Sequence, residues 1–415
     1  MSLRAASVGF LLLLGQAALA SAQSVAFGAR DGASVPDSVV ALPDGDVVVV
    51  GRTRGAFGTH SSDFESSDAF VARVGPRGEL RWARQWGDPG AQEEASAVAL
   101  RAGAILVAVQ HNGSRGIPEL AVPAMGSAIV ELDLDGRERS RFVVRGLVND
   151  LAVDPLGTDV ALCMREADPR SGTHWVVSRH RADGRRVWAR RSPASQRSSE
   201  PGCMALDWRG DRIAASGYAH RRVLGARLHV DPRDTPEPGE RGAVTLLLEA
   251  RRGRTLWARQ WIGAHHFAHD VAIGEDGTVY VAAGAIRTYV PPTRYEPALL
   301  GYSPDGSPRF VALEPMVDFG RGRDVVRASG AGVLWAVSNA GRPIAQGGPP
   351  LSVQMLSVDS SGAVTRLARV DAIHSASDLV AGVAGWQLLG IGRAATPAHR
   401  PGPDGDPAIV RVATR

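Results

Sequence analysis

Five aspartates recur at one place in a repeating pattern. Asp150, Asp270, Asp324 and Asp378 each open an apolar stretch, and Asp37 sits one position away from the same place. Carboxylates gathered in this way offer the oxygen ligands that hard divalent cations take, which is one reading of them. The other is structural, because short Asp side chains accept backbone N–H groups at strand ends. Beside Asp270 the segment GAHHFAHD carries His265, His266 and His269. Histidine-rich tracts bind metal. His265 and His266 diverge in an extended chain, however, and no HExxH spacing occurs, so the pattern does not imply a tight zinc site. No cofactor is expected, and a divalent cation at these Asp and His residues is the one candidate ion. Tyr289, Tyr295 and Trp386 are the aromatic candidates for ligand contact. Nucleophilic serine chemistry lacks its G-x-S-x-G elbow. Glycosidase chemistry needs two carboxylates at a set separation, which chain spacing alone does not fix. Cys163 and Cys203 are the two cysteines. They are too few for a zinc site or a disulfide framework, but they could form a single bridge.

The elements that would position these residues come in repeats. WARQW occurs at Trp82 to Trp86 and again at Trp257 to Trp261, with a partial copy at Trp188 to Arg190. A second pattern, an apolar strand, a Gly turn and another apolar strand, begins at Ser38, Ser96, Asp150, Cys203, Asp270, Asp324 and Asp378. A period in the fifties with β-rich segments and Gly turns is the signature of propeller blades. Two further strands follow each copy, joined by turns such as Asp135-Gly136, Asp183-Gly184 and Asp305-Gly306. Asp-Gly between apolar or alternating strands is a strong hairpin signal. The sequence therefore predicts an all-β, seven-bladed β-propeller with four antiparallel strands per blade.

The two ends fix how the ring closes. The seventh copy, from Asp378, stops after three strands at AIVRVATR. SVAFGAR, starting at Ser24, resembles the outer strand of blade one. The N-terminal strand is expected to complete the last blade, which removes two open sheet edges. With strands labelled A to D from the channel outward, the A–B and C–D turns share one face of the disc. The B–C and D–A connections share the other. The long, variable segments are all B–C connections, at about 52–67, 110–126, 218–242, 285–296, 338–350 and 392–406. That face is expected to carry function, with the Asp residues at its channel mouth. Trp82, Trp188 and Trp257 are expected to pack between blades.

These segments resemble the secreted bacterial seven-bladed β-propeller repeat family. The likeness is carried by DAFVARVGPRGELRWARQWGDPGAQEEASAVAL (68–100) and HDVAIGEDGTVYVAAG (269–284). It implies the propeller fold and export, and it supplies no catalytic residues. A fainter likeness is to quinone-cofactor propellers, whose outer strands end Gly-x-x-x-Trp as at Gly184 to Trp188 and Gly253 to Trp257. Those repeats number eight and carry a Thr-Gly step that this chain lacks.

Composition and the N-terminus set the context. The chain has 415 residues, a net charge of +4, and 47 basic residues, all arginine. So small and scattered an excess does not make a nucleic-acid face. Arg4, the apolar run Val8 to Leu14 and the Ala20-Ser21-Ala22 step read as a signal peptide, residues 1–22, with cleavage before Gln23. The run is too short to anchor in a bilayer. The expected protein is a secreted monomer, periplasmic or extracellular, with one domain at 23–415. It is expected to bind an extracellular protein or glycan without catalysis, and the alternative is a polysaccharide lyase or hydrolase at the channel mouth.

Overall fold

The computed structural model describes residues 23–26, 34–57, 66–88, 90–113, 117, 120–168, 170, 172–191, 202–219, 226–230, 242–263, 266–288, 294–315, 317–318, 324–330, 332–339, 352–371, 373–382, 385–392 and 406–412. Residues 1–22, expected to be a signal peptide, His265, Tyr289 and most of the long B–C connections lie outside them.

Seven antiparallel sheets form a ring, each ordered A, B, C, D from the channel outward. Blade one is Ser34–Ala41, Val47–Thr53, Asp68–Val74 and Leu80–Trp86. The inner strands of blades two to six are Glu93–Arg101, Leu147–Val153, Gly202–Arg209, His266–Ile273 and Val325–Ser329. Blade seven combines Ile373–Gly382, Gly385–Gly392 and Asp406–Val412 with the N-terminal strand Gln23–Ala26. That strand pairs antiparallel with Asp406–Val412, Gln23 opposite Arg411, and so closes the ring as the sequence predicts. Blade four gains a fifth strand, Arg227–Val230, which runs parallel to its outer strand Thr255–Ile262. The short strand Val317–Asp318 extends blade five. Among the described residues, no helix is long and apolar enough to cross a membrane.

The strand sequences follow from where each strand sits. Val47–Thr53 is buried at almost every position because both faces of the blade are covered, and its sequence is correspondingly a near-continuous apolar run. The outer strand Leu80–Trp86 starts exposed and ends buried. Apolar packing is concentrated at the seams between blades. Each of the seven seams holds one buried cluster, for example Val107, Val130 and Trp86 between blades one and two.

The outer tryptophans clamp one blade to the next. The indole N–H groups of Trp82, Trp188 and Trp257 donate to the carbonyls of Leu134 (2.9 Å), Ala250 (2.9 Å) and Pro304 (3.0 Å) in the C–D turns of the following blades. Each ring lies on a turn glycine with positive φ. A Cβ on Gly253 would sit 2.5 Å from the Trp188 ring, so both φ and the close approach require glycine there.

Deleting Gln23–Ala26 is expected to lower the unfolding midpoint and promote association, because it bares the edge of Asp406–Val412. Thermal unfolding with light scattering of the shortened chain checks this. An unchanged midpoint would contradict the closure.

Candidate functional site

The inner strands position the channel through one repeated irregularity. In six blades strand A carries a bulge at the same register, at Asp37, Ser96, Asn149, Met204, His269 and Ser377. A bulge breaks the in-and-out alternation and re-aims a side chain. All six residues line the inner channel. In blade six the equivalent position is Asp324, two residues before Val326. The Val326 N–H is held across the seam in the same way as those of Leu206 and Val39. Asp324 therefore shares the register of Asp37, not that of Asp150, Asp270 and Asp378, as the repeat pattern had suggested.

Asp150, Asp270 and Asp378 follow their bulges and staple neighbouring blades. One oxygen of each accepts the N–H of its own next residue, at 2.8, 2.8 and 2.7 Å. The other accepts an N–H from the next blade: Leu206 at 2.7 Å, Val326 at 2.9 Å and Val39 at 2.9 Å. Asp207 makes the same kind of link to the Ile273 N–H at 2.6 Å.

The charge balancing this ring comes from Arg327, which the sequence reading passed over. Its guanidinium reaches Asp270 and Asp378, each at 2.5 Å. Burial raises the Asp150 carboxyl to about 7, with the Asp270 charge adding to the effect. Burial likewise pushes Asp270 up to about 6, against the lowering effect of Arg327. Among the described residues, no group of three or more His, Cys, Asp or Glu is arranged to hold a metal ion.

His266 and His269 do not converge. His266 is fully buried in the seam between blades four and five, its ring 3.9 Å from that of Trp261. His269 faces the channel, because the bulge turns it there. Tyr295 is buried, and its hydroxyl donates to Asp324 at 3.0 Å. It packs where Gly284 leaves room, since a Cβ there would lie 2.2 Å from the Tyr295 ring. Burial pushes the Asp324 carboxyl up to about 7 despite the hydrogen bond from Tyr295. Trp386 begins strand B, on the opposite face, and packs into the seam between blades six and seven, away from the mouth.

In the fold, then, Asp324 keeps its proton up to about pH 7, whereas in the unfolded chain it releases it near 4. Its contribution to stability is present below about pH 4 and is lost as pH rises to about 7. Asp324→Asn is therefore expected to show a smaller fall in unfolding midpoint between pH 5 and pH 7.5 than the parent. Parallel pH profiles would show that Asp324 titrates normally.

Above the ring lies a cavity of about 520 Å³ over blades one to four. Its wall includes the strand-B residue that pairs two positions before the bulge in four successive blades: Arg52, Gln110, Arg165 and Tyr218. Arg54, Asn112 and Glu94 also line it, and Glu94 pairs with Arg52 at 2.7 Å. At its blade-two edge, Glu93 and His111 form a fully buried pair, Oε1 to Nδ1 2.6 Å, and burial raises the Glu93 carboxyl. Asn149 and Met204 line both this cavity and the inner channel. A row of rings leads the same way. Tyr218 meets Phe267 at 5.7 Å, Phe267 meets His269 at 6.4 Å, and His269 meets Tyr295 at 5.7 Å.

Cys163, on strand B of blade three, and Cys203, on strand A of blade four, are joined by a disulfide with Cα atoms 5.5 Å apart.

Solved structures share this architecture. Hydrazine synthase from Kuenenia stuttgartiensis aligns with a TM-score of 0.53 at 12% identity, over 87% of this chain and 94% of that one. A chain of the mitotic checkpoint complex aligns at 0.53 and 13% identity over the full length of both. The Dos1 propeller aligns at 0.52 and 8%, over 94% of this chain and 95% of that one. The fold is a seven-bladed β-propeller. At these identities the likeness extends to the fold and no further. No protein-family model and no curated protein matches the chain.

Proposed function

We propose that the chain is an exported binding propeller that takes a glycan at its channel mouth. The observation carrying this reading is the cavity over blades one to four. Guanidinium, amide and phenol groups line it, and a row of aromatic rings runs from it to the inner channel. Amide and phenol groups donate and accept hydrogen bonds and guanidinium groups donate them, which suits sugar hydroxyls, and the half-buried Tyr218 ring offers an aromatic surface for the apolar face of a sugar ring. The volume lies within the roughly 300–1,000 Å³ usual for small-ligand sites. The resemblance to secreted bacterial propeller repeats and the N-terminal signal pattern support export. In this reading Arg327 offsets part of the charge of the Asp ring by pairing with Asp270 and Asp378, and the ring serves to tie blade to blade.

A glycan array of the mature chain beside its Tyr218→Ala variant tests the proposal. Binding of one glycan class by the parent and about ten-fold weaker binding by the variant are expected. Protein partners but no glycan, captured equally by both, would count against it.

The meeting of His269, Tyr295 and Asp324 supports a second reading, a polysaccharide lyase or hydrolase. The inner space that His269 and Asp324 line is only about 40 Å³, too small for a sugar ring. Release of reducing ends from polysaccharide by the parent, abolished in His269→Ala, would establish this reading over the first.

A further inference from the structure

We propose that the A–B and C–D turns of blades three and four dock on a membrane surface rich in anionic phospholipid, independently of what the mouth cavity binds. Along the chain the basic residues are scattered, but the fold gathers five of them on this part of the turn face. Arg181, Arg185 and Arg186 flank the C–D turn of blade three, and Arg251 and Arg252 lie in the C–D turn of blade four. All five are exposed, and among the described residues none has an ion-pair partner. The exposed acids on the same turns are mostly matched by other arginines. Glu249 faces Arg254 at 3.2 Å, and Asp211 faces Arg212 at 3.7 Å. Asp183 remains, and its carboxylate accepts the Arg185 N–H at 2.9 Å. The five arginines therefore leave this part of the face positive.

Local contacts hold these turns side by side. The Trp188 indole donates to the Ala250 carbonyl and its ring covers Gly253, so the outer strand of blade three runs against the turn that carries Arg251 and Arg252. Arg181 donates its N–H to the Arg185 carbonyl at 3.0 Å and lies opposite Asp159 on strand B. Strand B starts just after the A–B turn that carries Leu156. Leu156 keeps 84% of its surface exposed, the most of any large apolar side chain among the described residues. That leucine distinguishes a membrane from a soluble polyanion, which would leave it in water. At a bilayer the guanidinium forks match lipid phosphates, and the leucine enters the boundary between headgroups and acyl chains. The long B–C connections and the mouth cavity lie toward the opposite face of the disc, so a chain docked in this way turns its mouth to the solvent.

Co-sedimentation of the chain from Gln23 onward with lipid vesicles tests this. Vesicles of phosphatidylglycerol and phosphatidylcholine in equal parts are expected to carry the protein down, less so with added salt, and vesicles of phosphatidylcholine alone are not. Each arginine near the surface is worth about five-fold in binding, so Arg251→Ala/Arg252→Ala is expected to weaken it by about twenty-five-fold. Leu156→Ser is expected to weaken it by about ten-fold. Arg77→Ala, which removes one exposed arginine from blade one, serves as the control and is expected to change nothing. Unfolding midpoints of the variants confirm that they are folded. No sedimentation with the anionic vesicles would overturn the proposal. So would equal sedimentation with phosphatidylcholine alone, no effect of Leu156→Ser, or a loss in Arg77→Ala as large as in the double variant. Retention on immobilised heparin without sedimentation would identify a soluble polyanion as the partner and overturn the membrane as well.

Discussion

Arg327→Ala is expected to destabilise the protein by about 3 kcal/mol at pH 7.5, the typical cost of breaking a buried pair by removing one partner. The lower end of that range applies because the side chain keeps 35% of its surface exposed. The substitution strips the guanidinium from Asp270 and Asp378 and removes the positive charge felt by Asp150 and Asp207. The loss depends on pH in a defined direction. Asp150 and Asp270 already hold their protons to about 7 and 6 in the fold. Without the arginine they hold them to higher pH still. A carboxyl raised in the folded state stabilises below its ordinary pKa and loses that contribution as pH rises through the raised one. The deficit of the variant should therefore shrink toward pH 5, where Asp150 and Asp270 are largely protonated. Unfolding midpoints of parent and variant at pH 5 and 7.5 measure it. An equal deficit at both values would mean that Arg327 acts through packing and not charge.

Removing the bridge with Cys163→Ala and Cys203→Ala together is the second large effect. The bridge closes a loop with a sequence separation of 40 residues, for which chain entropy gives about 3–4 kcal/mol. It also ties the seam between blades three and four, where Cys163 and Cys203 pack with Trp175 and Trp208. Reduction by dithiothreitol should lower the midpoint of the parent and leave the double variant unmoved. A midpoint indifferent to both treatments would contradict a bonded pair. Because disulfides persist in oxidising compartments, the same experiment bears on export.

What could be read from the chain, and what could not, divides along physical lines. The blades were legible because strand-turn-strand chemistry is local. The Asp-Gly and Gly turns, the WARQW copies and the incomplete seventh repeat all show within short windows, and the closing strand at Gln23–Ala26 follows from them. Of the histidines near Asp270, the two that are described, His266 and His269, part company in the fold. His266 goes into a seam, and His269 reaches the channel by virtue of a bulge. Bulges shift register by one residue, and for that reason Asp324 fell into the wrong class. Arg327 went unnoticed because its partners, Asp270 and Asp378, lie in two other blades. The mouth residues left a signal that could have been used. Aligned on the bulge, strand B carries Arg52, Gln110, Arg165 and Tyr218 at one position, polar or aromatic residues after a mostly apolar stretch. Residues that vary at one register across a regular repeat are those the scaffold leaves free for function.

In the proposed reading, ligand recognition sits in the mouth cavity, above a ring of acids in which Arg327 pairs with Asp270 and Asp378. The most direct single measurement is the unfolding midpoint of the chain from Gln23 onward with the glycan that the array selects or with calcium, beside a Tyr218→Ala/Arg165→Ala variant. Saturating glycan should raise the midpoint of the parent, since ligand at 100 times its Kd adds about 2.7 kcal/mol. It should do nothing to the variant, and calcium should move neither. A rise with calcium that survives in the variant, and none with the glycan, would place the site in the Asp ring and contradict recognition at the mouth.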